Sequence, residues 1–310
     1  MRVLFWGTPA FAAPALRALL EEGHDVVGVV TQPDRAQGRS RSTLVPSPVK
    51  EVALEEGLAV LQPERPRGEE FMESARALDP EISVVVAYGH ILKQEVIDLP
   101  PQGTLNIHAS LLPELRGAAP IEAAIRQGLT ETGVTIMRMV PQLDAGPVIL
   151  RLPTPIVESE TAGELAVRLS ELGALAIVQA LALMEVGAAT EEAQDDALAT
   201  YAPKIERDDA RIDWALPAAE VARLVRAYDP RPGAFTTLRD AEVKLYGARA
   251  MESRSGDPGE VIAIDESGML VGCGDGAIRI AEAHPAGRRR LAALDWAQGR
   301  GVSAGDRLGQ

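Results

Sequence analysis

Over the first ninety residues, short apolar runs alternate with stretches of helical spacing. Residues 2–6 are an apolar run closed by Gly7, the mark of a buried strand. Residues 14–22 carry Leu16, Leu19 and Leu20 at helical spacing, and Gly23 stops them. A second strand is expected at 26–30, a helix at 49–56 and a third buried strand at 82–87, with two more strands at 104–108 and 134–139. Such alternation predicts an α/β fold, a mainly parallel sheet with helices on both faces. Ligands of such sheets sit at the carboxyl ends of the strands. The longest helix is expected at 162–185, opened by the capping-box pair Thr161 and Glu164 and closed by Gly187.

The texture then changes. Residues 188–204 are polar and acidic and read as a linker. After a helix at 218–227, strands expected at 242–246, 260–264, 269–271 and 277–281 are separated by Gly-rich turns, a spacing that suggests a small β-barrel. The predicted domains are therefore 1–187 and 205–310, joined by the linker. The Gly-rich tail, 299–310, is expected to be poorly ordered.

Composition adds exclusions. No run of 18 apolar residues is free of charge, so no membrane span is expected, and the short apolar opening is unlike a signal peptide. A single cysteine, Cys273, rules out an internal disulfide and fits a reducing, cytoplasmic setting. The four histidines stand far apart, without metal-ligand spacing, and no metal is expected. Net charge is −14, but its distribution is uneven: 16 basic against 28 acidic residues before position 205, and 15 against 17 from there on. That excess of acid argues against indiscriminate nucleic-acid binding.

Three places carry candidate chemistry. The opening strand-turn-helix, Gly7-Thr8-Pro9-Ala10-Phe11-Ala12, keeps one glycine of the dinucleotide fingerprint, so no NAD site is expected. On a strand, Asn106 and His108 project from one face while Ile107 points to the other. A polar pair there needs hydrogen bonds or a cleft; a satisfied core histidine and a catalytic one both meet that condition. The small-residue loop Gly117-Ala118-Ala119 that follows would let a ligand approach backbone closely. Asp144 lies in a loop after the strand expected at 133–139, where it reads equally as a turn aspartate.

At these residues the chain resembles the folate-dependent formyltransferases, and more narrowly the methionyl-tRNA formyltransferase family. The resemblance runs through Gly7-Thr8-Pro9, Thr31-Gln32-Pro33-Asp34-Arg35, Pro46-Ser47-Pro48-Val49-Lys50, Val84-Val85-Val86-Ala87-Tyr88-Gly89, Asn106-Ile107-His108, Ser110-Leu111-Leu112-Pro113, 116–121, 131–137 and Leu143-Asp144. Beyond the linker, Thr200-Tyr201-Ala202 and Ala210-Arg211-Ile212-Asp213-Trp214 continue it. It implies a Rossmann-like formyltransferase domain, followed by an OB-like barrel that helps hold tRNA. Asn106, His108 and Asp144 match the catalytic trio. Ser110, Leu111, Leu112 and Pro113 match the segment bordering the folate, and Tyr88, Gly89 and Ile91 the loop beside its pteridine.

The loop between Pro33 and Pro46 matches a basic segment that inserts at the acceptor end of the tRNA. Here it offers Arg35, Arg39 and Arg41 with one acid, Asp34, where family members often carry a lysine pair. A charge cluster of this kind is equally a solvated face. The resemblance implies formyl transfer from 10-formyltetrahydrofolate to initiator methionyl-tRNA, by attack of an amine on the formyl carbon. Asn106 and His108 would serve as donors to the developing oxyanion, with Asp144 orienting the imidazole or taking a proton. A monomer is expected. Two other functions fit the same residues: a folate-dependent formyltransferase acting on a sugar or nucleotide amine, and an RNA-binding module whose polar trio is structural.

Overall fold

The computed structural model describes residues 1–37, 43–251 and 256–310. The chain forms two compact units that interleave along the sequence. One comprises Met1–Gly117, Thr132–Thr154 and Ala166–Tyr201; the other comprises Ala118–Glu131, Pro155–Leu165 and Ala202–Gln310. The expected split at 188–204 follows the composition of the chain. By contacts, the second unit also includes two earlier stretches, Ala118–Glu131 and Pro155–Leu165.

The first unit is built on a seven-stranded sheet. Its order is Val148–Pro155, Glu131–Arg138, Thr104–His108, Ile82–Val86, Arg2–Gly7, Asp25–Val30, Val60–Leu61. The five strands from Thr104–His108 to Val60–Leu61 run parallel, and Glu131–Arg138 is antiparallel to its neighbour Thr104–His108. Cross-strand register sorts the side chains into two sets. Leu4, Trp6, Val85, Asn106 and His108 fall on one face; Phe5, Val84, Leu105 and Ile107 fall on the other.

Helices cover both faces. On the first, Phe71, Met72 and Ala75 of helix Glu69–Ala77 and Val96 and Ile97 of helix Gln94–Ile97 close over Leu4, Trp6, Val30 and Val85. On the second lies the helix Ala162–Glu185, whose bounds are those the periodicity predicts. Gly173 permits the close approach, because a Cβ there would stand 2.9 Å from Ile107 Cγ2. By length and composition alone this helix would be apolar enough to cross a membrane. Here its apolar content has another use: Leu169, Ile177, Ala180 and Leu181 are wholly buried against the sheet.

Carboxyl ends of the parallel strands gather along one edge, where their loops are tied together. Thr8 Oγ1 and Gln32 Nε2 both donate to the Tyr88 carbonyl, at 3.0 and 3.3 Å. The segment expected to be a linker lies along this unit as far as Tyr201: Glu192 pairs with Val148, and the Thr200 carbonyl accepts from the Arg116 N–H.

The second unit is an antiparallel sheet, ordered Ala234–Leu238, Ala241–Met251, Ala277–Pro285, Gly268–Gly272, Val261–Asp265, with Leu291–Ala292 paired to Ala277–Pro285. Helix Pro120–Gln127 packs against helix Ala218–Ala227, and Arg126 donates to the Tyr228 hydroxyl at 2.9 Å. The tail corrects an expectation. It is docked, with Val302 and Leu308 buried and with backbone hydrogen bonds from Leu308 N–H to the Gly259 carbonyl and from Gly309 N–H to the Thr237 carbonyl, each 2.8 Å. Its glycines serve close packing, since Gly309 lies against the Trp214 indole.

Candidate active site

The site forms where strand Thr104–His108 ends. His108 is 5% exposed, and both ring nitrogens face acceptors. Nε2 lies 3.0 Å from the Leu115 carbonyl, and Nδ1 lies 3.7 Å from Asp144 Oδ2. A carbonyl cannot donate, so Nε2 carries a proton, and Nδ1 is the nitrogen turned to the carboxylate. Leu115 turns its carbonyl inward by adopting a left-handed backbone, φ 56°, a conformation costing a leucine about 1 kcal/mol or more.

Asp144 occupies the matching turn after strand Glu131–Arg138, also left-handed, at φ 49°, which aspartate tolerates better. Its Oδ2 accepts from the Gly117 N–H at 2.8 Å. One carboxylate thus binds the small-residue loop and faces the imidazole, its hydrogen bond going to a residue 27 positions away rather than to its own turn. Two residues on, Gly146 is obligatory, because any Cβ would overlap the Arg138 carbonyl.

Asn106 is half-buried on the same strand face as His108, and its carboxamide has no hydrogen-bond partner among the described residues. The half-buried carboxamide keeps its N–H groups open to solvent, where a bound acceptor can take them. Asn106 therefore offers a ligand its N–H groups, beside a histidine held through Nε2 by the Leu115 carbonyl, with Nδ1 3.7 Å from Asp144, beyond direct hydrogen-bond reach.

The folate-bordering residues separate into supports and lining. Ser110 and Leu112 are buried supports: Ser110 Oγ donates to the Glu114 carbonyl at 2.6 Å, and Thr135 Oγ1 bridges the Ser110 carbonyl and the Leu112 N–H, at 2.7 and 3.1 Å. Leu112 packs with Met137 and Val148. Leu111 and Pro113 remain half-buried. The Tyr88 ring does not line the surface; it is buried against Trp6, centroids 5.3 Å apart, and burial pushes its phenol up to about 12. What that loop presents instead is backbone at Gly89, φ 95°, and the Ile91 side chain, 86% exposed.

Of the three loop arginines, Arg35 is exposed on the short strand Arg35–Gln37, which pairs with Thr43–Val45; Arg39 and Arg41 lie outside the described residues. The base of that loop is anchored. Lys50 Nζ donates to both Asp34 carboxylate oxygens at 2.9 and 2.7 Å, and Gln62 Nε2 to Oδ1 at 2.8 Å. These hydrogen bonds, Lys50's first, hold the Asp34 carboxyl below its usual range.

Sequence reasoning did not find Arg116, Thr135, Gln194 or Thr200 as parts of the site. Their contacts depend on the tertiary course of the chain. Only Arg116, a cation set among small apolar residues, carried a local signal.

The Formyl transferase family model matches residues 1–181 and the Formyl transferase, C-terminal domain model matches 204–301, so the chain belongs to the formyl transferase family. Its full-length relatives are more particular. The methionyl-tRNA formyltransferase of Chromobacterium violaceum is 48% identical over 310 residues, covering 100% of each chain. That of Pseudomonas fluorescens is 50% identical over 278 residues, 90% of this chain and 87% of its own. Among solved structures, HypX from Aquifex aeolicus in complex with tetrahydrofolic acid shares the fold at 23% identity and TM-score 0.69, over 95% of this chain and 46% of that one, so this chain spans about half of HypX. Methionyl-tRNA formyltransferase from Clostridium thermocellum does so at 14% identity and TM-score 0.60, over 82% and 95%.

Proposed function

We propose that this chain transfers the formyl group of 10-formyltetrahydrofolate to the free amino group of initiator methionyl-tRNA, acting in the cytoplasm as a monomer. The observation that carries this reading is the free carboxamide of Asn106 beside an imidazole fixed between the Leu115 carbonyl and Asp144. The full-length likeness to methionyl-tRNA formyltransferases supplies the substrates.

In this reading the methionyl amine attacks the formyl carbon. A new C–N bond forms, the bond from that carbon to folate N10 breaks, and negative charge grows on the formyl oxygen. Donors preorganised at that oxygen give the largest gain. Asn106 contributes amide N–H groups and His108 a ring already oriented by its neighbours. Asp144 takes the proton that the amine must lose, directly or through water, and N10 of the departing folate gains one. The folate brings the activated one-carbon unit; the chain contributes orientation, donors and a proton acceptor.

The half-buried Leu111 and Pro113 can offer a flat, partly polar ligand apolar contact, and Gly89 can offer it exposed backbone groups. For the tRNA, Arg35, Arg39 and Arg41 form a basic island in an otherwise acidic region, which suits phosphate contact. At the base of that segment Asp34, Lys50 and Gln62 are joined by hydrogen bonds.

The test is formylation of charged initiator tRNA, charged elongator tRNA and an amino-sugar nucleotide, with 10-formyltetrahydrofolate as donor. Turnover of initiator tRNA far above the other two is the expected result. Preference for the amino sugar would replace this function with the second formyltransferase reading, and failure to bind folate would leave an RNA-binding module.

A further inference from the structure

The site is braced from a stretch that the composition marks as a linker. Gln194 is half-buried there, and its carboxamide is fully engaged. Its Nε2 donates to the carbonyls of Asp144 and Gly146, at 2.8 and 2.7 Å. Its Oε1 accepts from Arg116 Nε and Nη2, at 3.1 and 2.8 Å. The amide has only one workable orientation, since a flip would set its oxygen against two carbonyls.

Arg116 is 3% exposed, and its second partner is Asp196 Oδ1 at 2.8 Å, two residues beyond Gln194. Farther along the same stretch, Thr200 Oγ1 accepts from the Leu115 N–H at 2.8 Å and its carbonyl from the Arg116 N–H at 2.9 Å. Leu115 is the residue whose carbonyl faces His108. The segment 194–200 therefore grips both turns that define the geometry at His108: Gln194 holds the Asp144 turn, and Thr200 holds the Leu115 turn. Both turns rest on left-handed, non-glycine residues that need such restraint.

We propose that Gln194 is a positioning residue that acts through Asp144, with Thr200 acting likewise through Leu115, so that the acidic segment 188–201 is part of the catalytic apparatus. The assignment rests on the catalytic reading above. It predicts a loss in turnover without a loss in binding. A displacement of about 1 Å at a reacting group costs on the order of 100-fold, so Gln194→Ala and Gln194→Glu should each lower kcat by about 10- to 100-fold, with KM for folate and tRNA little changed. Gln194→Glu is the sharper variant. It keeps length and the contact to Arg116 while turning two donors into acceptors.

A merely structural role would lower activity in proportion to unfolding, so three readouts accompany the rates. First, Gln194→Ala combined with Asp144→Asn should be no slower than Asp144→Asn alone, because both changes disable one element. Second, Thr200→Ser, which keeps the hydroxyl, should restore what the isosteric Thr200→Val loses. Third, the His108 ring signals in NMR spectra should move in Gln194→Ala in the direction they move in Asp144→Asn. This last readout needs no turnover, so it tests the positioning even if the substrate reading fails in the wild-type protein. Multiplicative losses in the double variant, or His108 signals unmoved by Gln194→Ala, would overturn the proposal. Should Gln194→Ala not fold, Gln194→Glu and the Thr200 pair decide it by the same measures.

Discussion

Replacing Asp144 with Asn probes the pair on which the proposed chemistry turns. The amide oxygen of Asn can keep the 2.8 Å bond from the Gly117 N–H, so the loop stays in place and only charge and basicity are removed. What is lost is a positioned proton acceptor, whose Oδ2 lies 3.7 Å from His108 Nδ1 and whose side chain is 15% exposed. Removing such a group costs about 100- to 10,000-fold. We expect Asp144→Asn to lower kcat by about 100- to 1,000-fold, to leave KM for folate nearly unchanged and to alter the pH–rate profile. The assay is single-turnover and steady-state formylation of charged initiator tRNA across pH, with circular dichroism and a melting curve to show an intact fold. A folded Asp144→Asn protein with near wild-type turnover and an unchanged profile would refute the reasoning.

Asn106→Ala removes the unpartnered donor and should cost about 100- to 1,000-fold in turnover with folate affinity retained; poor folate binding with normal saturated turnover would contradict the role. Gly146→Ala must push the Asp144 turn off the Arg138 carbonyl, so kcat should fall by about 100-fold and stability by about 1–3 kcal/mol, read from kinetics and denaturant titration. Arg39→Ala should weaken charged tRNA, lower the slope of log affinity against log salt by roughly 0.7 to 0.9 and spare folate binding; an unchanged slope leaves an ordinary surface loop. Burial, with the nearby N-terminal amino group, holds the His24 imidazole below its ordinary value against the partial offset of Glu185. The unfolded chain then takes up a proton that the folded chain resists, so stability present above about pH 6.5 should decline as pH falls below it. His24→Gln should flatten that decline in melting experiments.

Legibility in the sequence followed how local each cause was. Buried strands such as Ile82–Val86, and the helix Ala162–Glu185 with its capping box, are written in adjacent residues, and their positions were readable. Strand alternation placed Asn106 and His108 on one face, and the register places them there with Trp6 and Val85. The reversed direction of Glu131–Arg138 was not readable, since direction depends on the crossover and not on the run itself. Polar residues gave the weakest signal. Gln194 and Thr200 stand among acids and alanines that look like solvated chain, and only the three-dimensional course brings them to Asp144 and Leu115. The tail misled for a related reason: glycines that suggest disorder are here what lets the backbone lie against Trp214.

The interleaving of the two units bears on how the chain is made. Helix Pro120–Gln127 belongs with helix Ala218–Ala227, which leaves the ribosome about 90 residues later. At roughly 5–20 residues per second, the earlier helix waits on the order of 5–20 seconds for its partner. Throughout that interval Ala124 and Ile125, buried in the finished protein, lack the helix Ala218–Ala227 that packs on theirs. A nascent chain paused before residue 218 would therefore hold a sticky, half-formed C-terminal unit beside an N-terminal sheet whose strands are already all synthesised. Slow codons in that interval would prolong the exposure. A fragment ending near residue 204 would make it permanent, so the two halves named by the family models cannot be separated cleanly by a single cut.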